Sequence, residues 1–308
     1  MTALTVLALA SALVASAAGA DVIVFNFGGV SEETSPALAW APVGRLGEQR
    51  HHGLGIVGGR TAKKNEFPHQ ASMQVTIPGY EPQHLCGGTL IEVNWVLTAA
   101  HCVYGIPASA TGVSVVLGIN SLTKDKGQRL NVVQALVHSQ YNTSLNVGPY
   151  DIALLKLDGR AKLNKGVKLA LLPKADAVPT GKATLSGWGS TSEDGNNPVY
   201  PDRLQTLDFP IIDFQTCYNY VSSVTRDDNP LADTNLCVGD LTKTGLSSCS
   251  GDSGGPLVQK SGWFGGKTTV IGVVSWGLAN CGSVPFPSVF TRVSAYISWI
   301  DTIMNNYK

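Results

Sequence analysis

Three short segments of this chain carry residue types that could together break an acyl bond. Gly251-Asp252-Ser253-Gly254-Gly255-Pro256 sets a serine on a glycine-rich turn. Glycines there let backbone N–H groups approach a carbonyl with no Cβ in the way. Leu97-Thr98-Ala99-Ala100-His101-Cys102 offers a base, and Tyr150-Asp151-Ile152-Ala153-Leu154-Leu155 offers a carboxylate. A serine hydroxyl is a weak nucleophile at neutral pH and needs a neighbouring base to take its proton. An imidazole titrates in the useful range, which nominates His101. Asp151 would hold the other ring nitrogen, fix the tautomer and stabilise the imidazolium. The order His, Asp, Ser is one of several that assemble a hydrolytic triad. Taken singly, His101 reads as a structural histidine, Asp151 as a turn residue and Ser253 as a cap. Their joint occurrence favours the chemical reading.

The elements that must position these residues look like strands. The chain has 308 residues, 44% hydrophobic, only 14% charged, with 34 glycines. That mix suits an exported all-β protein with many turns. The formal net charge is zero, so there is no electrostatic footprint for nucleic acid. β-branched runs between turn signals predict strands at 70–76, 89–98, 113–118, 130–138, 152–157, 183–187, 204–211, 256–259, 268–276 and 289–293. Two segments read as helices, 213–221 and 294–305. The second carries Ile297, Ile300 and Met304 at helical spacing, with Ser294 as N-cap. No metal-ligand spacing appears, and the pair His51-His52 reads as solvated.

Residues 1–20 are apolar and small and end in Ala18-Gly19-Ala20, which reads as a signal peptide cleaved before Asp21. A membrane anchor is the lesser reading, because the apolar run is short and no stop-transfer pattern follows. Residues 21–55 mix apolar stretches with Glu, Pro and Gly without a sustained period and read as a propeptide. This segment has no cysteine, so after cleavage it would have no covalent tie to the rest. The six cysteines begin at Cys86. An even count in an exported chain implies disulfides, with 15 connectivities open for six cysteines.

The three segments, with Ile56-Val57-Gly58-Gly59, Cys86-Gly87-Gly88, Gly187-Trp188-Gly189 and Ser275-Trp276-Gly277, resemble the chymotrypsin/trypsin family of secreted serine endopeptidases. The resemblance covers residues 56–308, the protease domain. It implies an all-β fold of two six-stranded antiparallel β-barrels, an active site between them, a linker near 158–182 and a C-terminal helix. It selects the disulfides Cys86–Cys102, Cys217–Cys237 and Cys249–Cys281. The N–H groups of Gly251 and Ser253 would form the oxyanion hole. The carbonyl of Ser275 and the backbone of Gly277 would pair with an extended substrate strand. A buried Asp252 needs a positive partner. The resemblance supplies the α-amino group of Ile56, freed by proteolysis, so the translated chain would be a zymogen.

The chain also departs from the trypsin pattern. Ile56 follows Gly53-Leu54-Gly55, not Arg or Lys, so activation needs a protease that accepts Leu-Gly before Ile, or a two-step trimming. A cut after Arg50 would leave five residues too many. In the family it resembles, the base of the primary specificity pocket lies six residues before the nucleophile, which implies Ser247 here. It carries no charge, and a buried substrate cation would go unpaired at a cost of several kcal/mol. Gly277 leaves one wall open, while Ser288 stands where a second glycine is usual and would intrude. These features place cleavage after Phe, Tyr or Leu first, with elastase-like and then collagenolytic preference behind it. Ile119 and a lone Asp125 are too little for calcium, so no metal or other cofactor is expected. Asn142-Thr143-Ser144 is a glycosylation sequon. Expected partners are protein or peptide substrates, an activating protease and protein inhibitors, around a monomeric extracellular enzyme. The rival class is a non-catalytic homologue that binds partners on the same scaffold. Such relatives usually lose a triad member, and this chain keeps all three. An α/β-hydrolase esterase has a different serine frame and the order Ser, Asp, His.

Overall fold

The computed structural model describes residues 11–14, 22–27, 55–145, 147–194, 196–226, 228–261, 266–277 and 281–308. Two strands lie upstream of the expected protease domain, β1 (Ser11–Val14) and β2 (Val22–Asn26). A two-residue strand, β3 (Arg60–Thr61), opens the domain. Six strands then form the first barrel: β4 (Gln70–Thr76), β5 (Gln83–Glu92), β6 (Trp95–Thr98), β7 (Gly112–Leu117), β8 (Gln128–His138) and β9 (Ala153–Leu157). Their antiparallel pairing runs β4-β5-β6-β9-β8-β7 and closes from β7 back to β4. The second barrel uses β10 (Lys182–Gly187), β11 (Gln205–Ile212), β12 (Asn235–Val238), β13 (Pro256–Ser261), β14 (Lys267–Trp276) and β15 (Ser288–Arg292). Here the circuit is β10-β11-β12-β15-β14-β13 and returns to β10. Each circuit of pairings closes on itself, although β8 runs on past its pairing with β7, which ends at Asn131.

The period-2 alternation of strand residues decides what is inside. On β4, Ala71, Met73 and Val75 face the first core, joined by Val113, Val115 and Leu117 of β7 and by Ala135 and Val137 of β8. Leu185, Phe209, Leu236, Leu257, Ile271 and Phe290 fill the second barrel. The linker between β9 and β10 runs where the sequence puts it. Among the described residues, three helices of five or more residues complete the fold: α1 (Ala100–Tyr104), α2 (Phe214–Thr225) and α3 (Ile297–Asn306). Asp213 caps α2 by accepting from the Thr216 N–H at 2.9 Å. The expected disulfides Cys86–Cys102, Cys217–Cys237 and Cys249–Cys281 are all formed.

Three expectations need correction. The run 89–98 is two strands, because Val93 and Asn94 make a two-residue hairpin in which Glu92 faces Trp95. Neither Gly nor Pro marks that reversal. Ser294 does not cap the last helix. A 3₁₀ turn, Val293–Tyr296, precedes α3, and the Ser294 hydroxyl donates to the Ala177 carbonyl of the linker at 2.6 Å. Residues 21–55 are not wholly irregular, since β2 pairs with β8 of the first barrel. Most of the expected signal peptide and propeptide, with Arg50 and the His51-His52 pair, lies outside the described residues.

Candidate active site

His101 is the second residue of α1, directly after β6 of the first barrel. Asp151 sits two residues before β9, the strand that pairs with β6. Pairing of β6 with β9 therefore brings base and carboxylate together from positions 50 residues apart. The His101 Nδ1–H donates to Asp151 Oδ2 at 2.7 Å, and the His101 backbone N–H donates to Oδ1 at 2.9 Å. Ser275 Oγ, at the end of β14, donates to Oδ2 at 2.6 Å. The second barrel thus reaches across to the carboxylate, a role for the Ser275 side chain that the sequence reading did not include. Thr291 Oγ1 donates to the Asp151 carbonyl at 2.7 Å.

The loop that delivers Asp151 is held hard. Tyr150 has φ of 63°, unusual for a bulky residue. Its N–H donates to Tyr296 Oη at 3.1 Å, and its ring stacks on His138 at 4.9 Å. Burial works to raise Asp151, but the His101 charge and the hydrogen bonds from His101 and Ser275 prevail and hold it below the usual carboxylate range. Burial works to lower His101, and the charge and hydrogen bond of Asp151 prevail and leave it above 6.5. The His101 side chain remains 30% exposed, so the ring is open to an incoming molecule.

Ser253 reaches the same region from the second barrel, on the turn before β13. Its carbonyl accepts from the Gly87 N–H at 2.8 Å. Gly87 follows Cys86, which is bonded to Cys102, the neighbour of His101. A Cβ on Gly254 would stand 3.1 Å from Cys102 Sγ and 2.8 Å from the Gly87 carbonyl, and would collide with Thr98 Oγ1. Only glycine, here at φ +73°, lets the serine turn lie this close to the histidine loop. Gly251 has φ +95°, again a glycine conformation. Among the described residues neither the Gly251 nor the Ser253 N–H donates a hydrogen bond. Such donors suit a developing oxyanion. Cys86, His101 and Cys102 also cluster, but their two sulfurs are spent on one disulfide and leave a metal a single ligand.

The site has a support the sequence reading missed. His84 Nε2 lies 3.0 Å from the Gly251 carbonyl, and Nδ1 lies 2.8 Å from Ser72 Oγ. A carbonyl only accepts, so Nε2 carries the proton and Nδ1 accepts from the serine hydroxyl. Desolvation pulls this ring down to about 4, so it stays neutral. Gln74 Nε2 donates to Ser72 Oγ at 3.1 Å, and Arg129 Nη2 donates to Gln74 Oε1 at 2.7 Å. A polar chain thus runs from Arg129 to the Gly251 turn. Nothing in the sequence marks it, because it joins residues on β4, β5, β8 and a distant loop.

Asp252 is fully buried. Its oxygens accept from the Gly189 N–H at 2.9 Å and the Cys249 N–H at 3.0 Å. No cation pairs with it among the described residues, and desolvation pushes it up to about 7. A Cβ on Gly187 or Gly189 would strike this carboxylate. Ile56 is likewise 0% exposed, within the second-barrel core. Its φ is 42°, an outlier for a β-branched residue and a strained position.

The residues expected to line the specificity pocket sit side by side. Ser247 Oγ donates to the Ser248 carbonyl at 2.6 Å and lies 3.4 Å from Ser288 Oγ. Ser288 Oγ accepts from the Ser248 N–H at 3.1 Å. Ser288 is only 3% exposed, whereas among the described residues a Cβ at Gly277 would meet nothing within 4 Å. Near Gly118, Asp125 Oδ2 accepts from the Asn120 and Ser121 N–H groups at 2.8 and 3.0 Å, and Ile119 is buried. Asn142 is exposed.

The family model described as Trypsin matches residues 56–300. The chain belongs to the trypsin family. It is 36% identical over 251 residues to "Trypsin-1" of Astacus astacus, covering 80% of this chain and 98% of that protein. It is 39% identical over 255 residues to "Chymotrypsin-like elastase family member 1" of Felis catus, covering 81% and 89% respectively. The Rattus norvegicus protein of that name is 37% identical over 255 residues, with the same shares. This trypsin-family serine protease therefore acts on protein substrates. Among the described residues no helix is long and apolar enough to cross a membrane.

Proposed function

We propose that this trypsin-family protein is a secreted endopeptidase that uses Ser253 as nucleophile, His101 as general base and acid, and Asp151 as the orienting carboxylate. The observation that carries this reading is the 2.7 Å contact between His101 Nδ1 and Asp151 Oδ2. It fixes the tautomer that leaves Nε2 free to take the Ser253 proton. Attack on the substrate carbonyl gives a tetrahedral oxyanion, which the N–H groups of Gly251 and Ser253 are free to receive. The acyl-enzyme then forms as His101 protonates the leaving amine, and water reverses the steps.

The chain is made as a zymogen in this reading. The cut at Gly55–Ile56 frees an ammonium that pairs with Asp252. Two observations support it. Asp252 is buried with no cation beside it among the described residues, and Ile56 is strained only while a peptide bond precedes it. The signal peptide at 1–20 and the disulfides fit an extracellular site.

Cleavage falls after uncharged apolar side chains, with Phe, Tyr and Leu first. The uncharged pair Ser247 and Ser288 and the open side of Gly277 support this. A second reading, elastase-like preference for smaller residues, is favoured by the buried Ser288 and by the elastase relatives. A peptide library randomised before the cut, with Ser253→Ala as control, separates the two. Cleavage after Phe, Tyr or Leu supports the first, and cleavage after Ala or Val the second. Cleavage after Arg would show the pocket assignment to be wrong. Activity that survives Ser253→Ala would overturn the mechanism.

A further inference from the structure

We propose that residues 22–27 stay on the enzyme as a non-covalent strand after the chain is cut between Gly55 and Ile56. This rests on the activation reading above and says what becomes of the released segment. No cysteine precedes Cys86, and all six are paired within the protease domain, so no disulfide can retain the segment. The hold must come from pairing and packing.

The acceptor is a length of β8 that the barrel leaves open. β8 pairs with β7 through residues 128–131 and with β9 through residues 132–137, on its opposite edge. Past Asn131, the edge facing β7 has no barrel partner. β2 occupies it, antiparallel, from Val22 opposite His138 to Asn26 opposite Gln134. The Phe27 N–H extends the ladder by donating to the Val133 carbonyl at 2.9 Å, and Gln134 Nε2 donates to Asn26 Oδ1 at 2.9 Å. An unpaired strand edge is a ready template for an added strand, with main-chain bonds for affinity and alternate side chains for selection.

Both faces of the added strand are used. Val22 and Val24 are 2% and 4% exposed and belong to the first-barrel core. Ile23, Phe25 and Phe27 are partly buried against the same cluster. The Phe25 ring meets Tyr104 edge-on at 5.2 Å, and Tyr104 stacks on Tyr141 at 5.7 Å. Tyr104 is the last residue of α1, the helix that carries His101. The segment therefore braces the base-bearing helix from behind. The bond to be cut lies 28 residues past Phe27, so cleavage need not disturb the strand. The activated protein is then two chains held by one strand pairing, and the surface on β8 is specific for an apolar, β-branched strand.

The test is activation of the full-length protein, size-exclusion in native buffer, and N-terminal sequencing of the folded peak. Two N-termini are expected in equal amounts, one at Ile56 and one upstream of Val22. A folded peak with Ile56 alone, and the upstream fragment in the low-mass fractions, overturns the proposal but leaves the activation reading intact. Absence of any chain starting at Ile56 overturns the activation reading instead. The strand is then judged on the uncut protein by amide hydrogen exchange. Amides of residues 23–27 that exchange as fast as a free peptide overturn the docking, and slowed exchange supports it. Val24→Asp places a carboxylate against the core from a strand the closed barrel does not need. It should lower the retained fraction at least tenfold, and unchanged retention refutes the proposal.

Discussion

Asp252→Asn should move the uncut and the activated protein in opposite directions. In the uncut chain the carboxylate is fully buried, accepts from two backbone N–H groups, and has its titration raised from 3.8 to about 7. A rise of roughly three units corresponds to about 4 kcal/mol between the neutral and ionised states. The sign follows from the raised folded value. The stability contributed by the neutral acid is present below pH 3.8 and is lost as pH climbs through about 7. Asparagine cannot ionise, so it escapes that loss. It satisfies only one of the two N–H donors with its carbonyl, and the mispaired donor costs about 1–3 kcal/mol. The net expectation at pH 8 is an uncut chain more stable by about 1–3 kcal/mol, obtained as 4 less 1–3. At pH 4 the gain should vanish, leaving only the cost. On the activation reading proposed above, Asn could not pair with the Ile56 ammonium, so the activity of correctly cut enzyme should fall by orders of magnitude. Urea unfolding of uncut Ser253→Ala protein, with and without the substitution, measures the first effect at pH 4 and pH 8. Taking the difference between variants cancels every other titrating group. A difference that does not change with pH would mean that Asp252 is not the strained ionised group described here, and the argument for its activation partner would fall with it.

Other perturbations follow from the same site. The pH–kcat/KM profile should have its acid limb centred above 6.5, because Asp151 raises His101; Asp151→Asn should move that midpoint down and lower kcat by about 10⁴, as loss of the orienting carboxylate does in such triads. Ser275→Ala removes one donor from the carboxylate. It should cost about tenfold in kcat/KM, roughly the 1.5 kcal/mol of a weak charge-assisted bond, and shift the acid limb upward; an unshifted limb would make Ser275 a mere packing residue. His69 is 1% exposed and lowered by desolvation to about 4, so it holds the fold together only while neutral. Its share of stability is present above pH 6.5 and lost as pH falls through about 4, some 3 kcal/mol in all. His69→Phe should remove that share of the acid destabilisation, read as a flatter plot of unfolding midpoint against pH. Breaking Cys86–Cys102, a loop of 16 residues, should lower stability by about 3 kcal/mol and loosen the tether between Gly87 and the His101 helix.

The candidate site could be proposed from the sequence because its chemistry is tied to local motifs, and the barrels were legible because inward residues alternate on each strand. Met73 between Ser72 and Gln74 is a period-2 signal, apolar on one face and polar on the other, although both faces of β4 are buried. What escaped was decided between segments. His84 looks like any polar residue on a strand, and it matters only because β5 brings it to the carbonyl of Gly251, 167 residues away. Asn235–Val238 is a strand of four residues, too short for alternation to speak, and it exists because β11 and β15 leave a slot between them. The same holds for Val22–Asn26, read as part of an irregular propeptide. Its apolar run, Val22-Ile23-Val24-Phe25, carries a strand propensity that five residues alone cannot turn into structure. The half-open edge of β8 supplies the partner, and that edge exists because β7 ends its pairing at Asn131 while β8 continues to His138. The unequal lengths of β7 and β8 thus create an acceptor in the first barrel, and the chain's own upstream segment fills it.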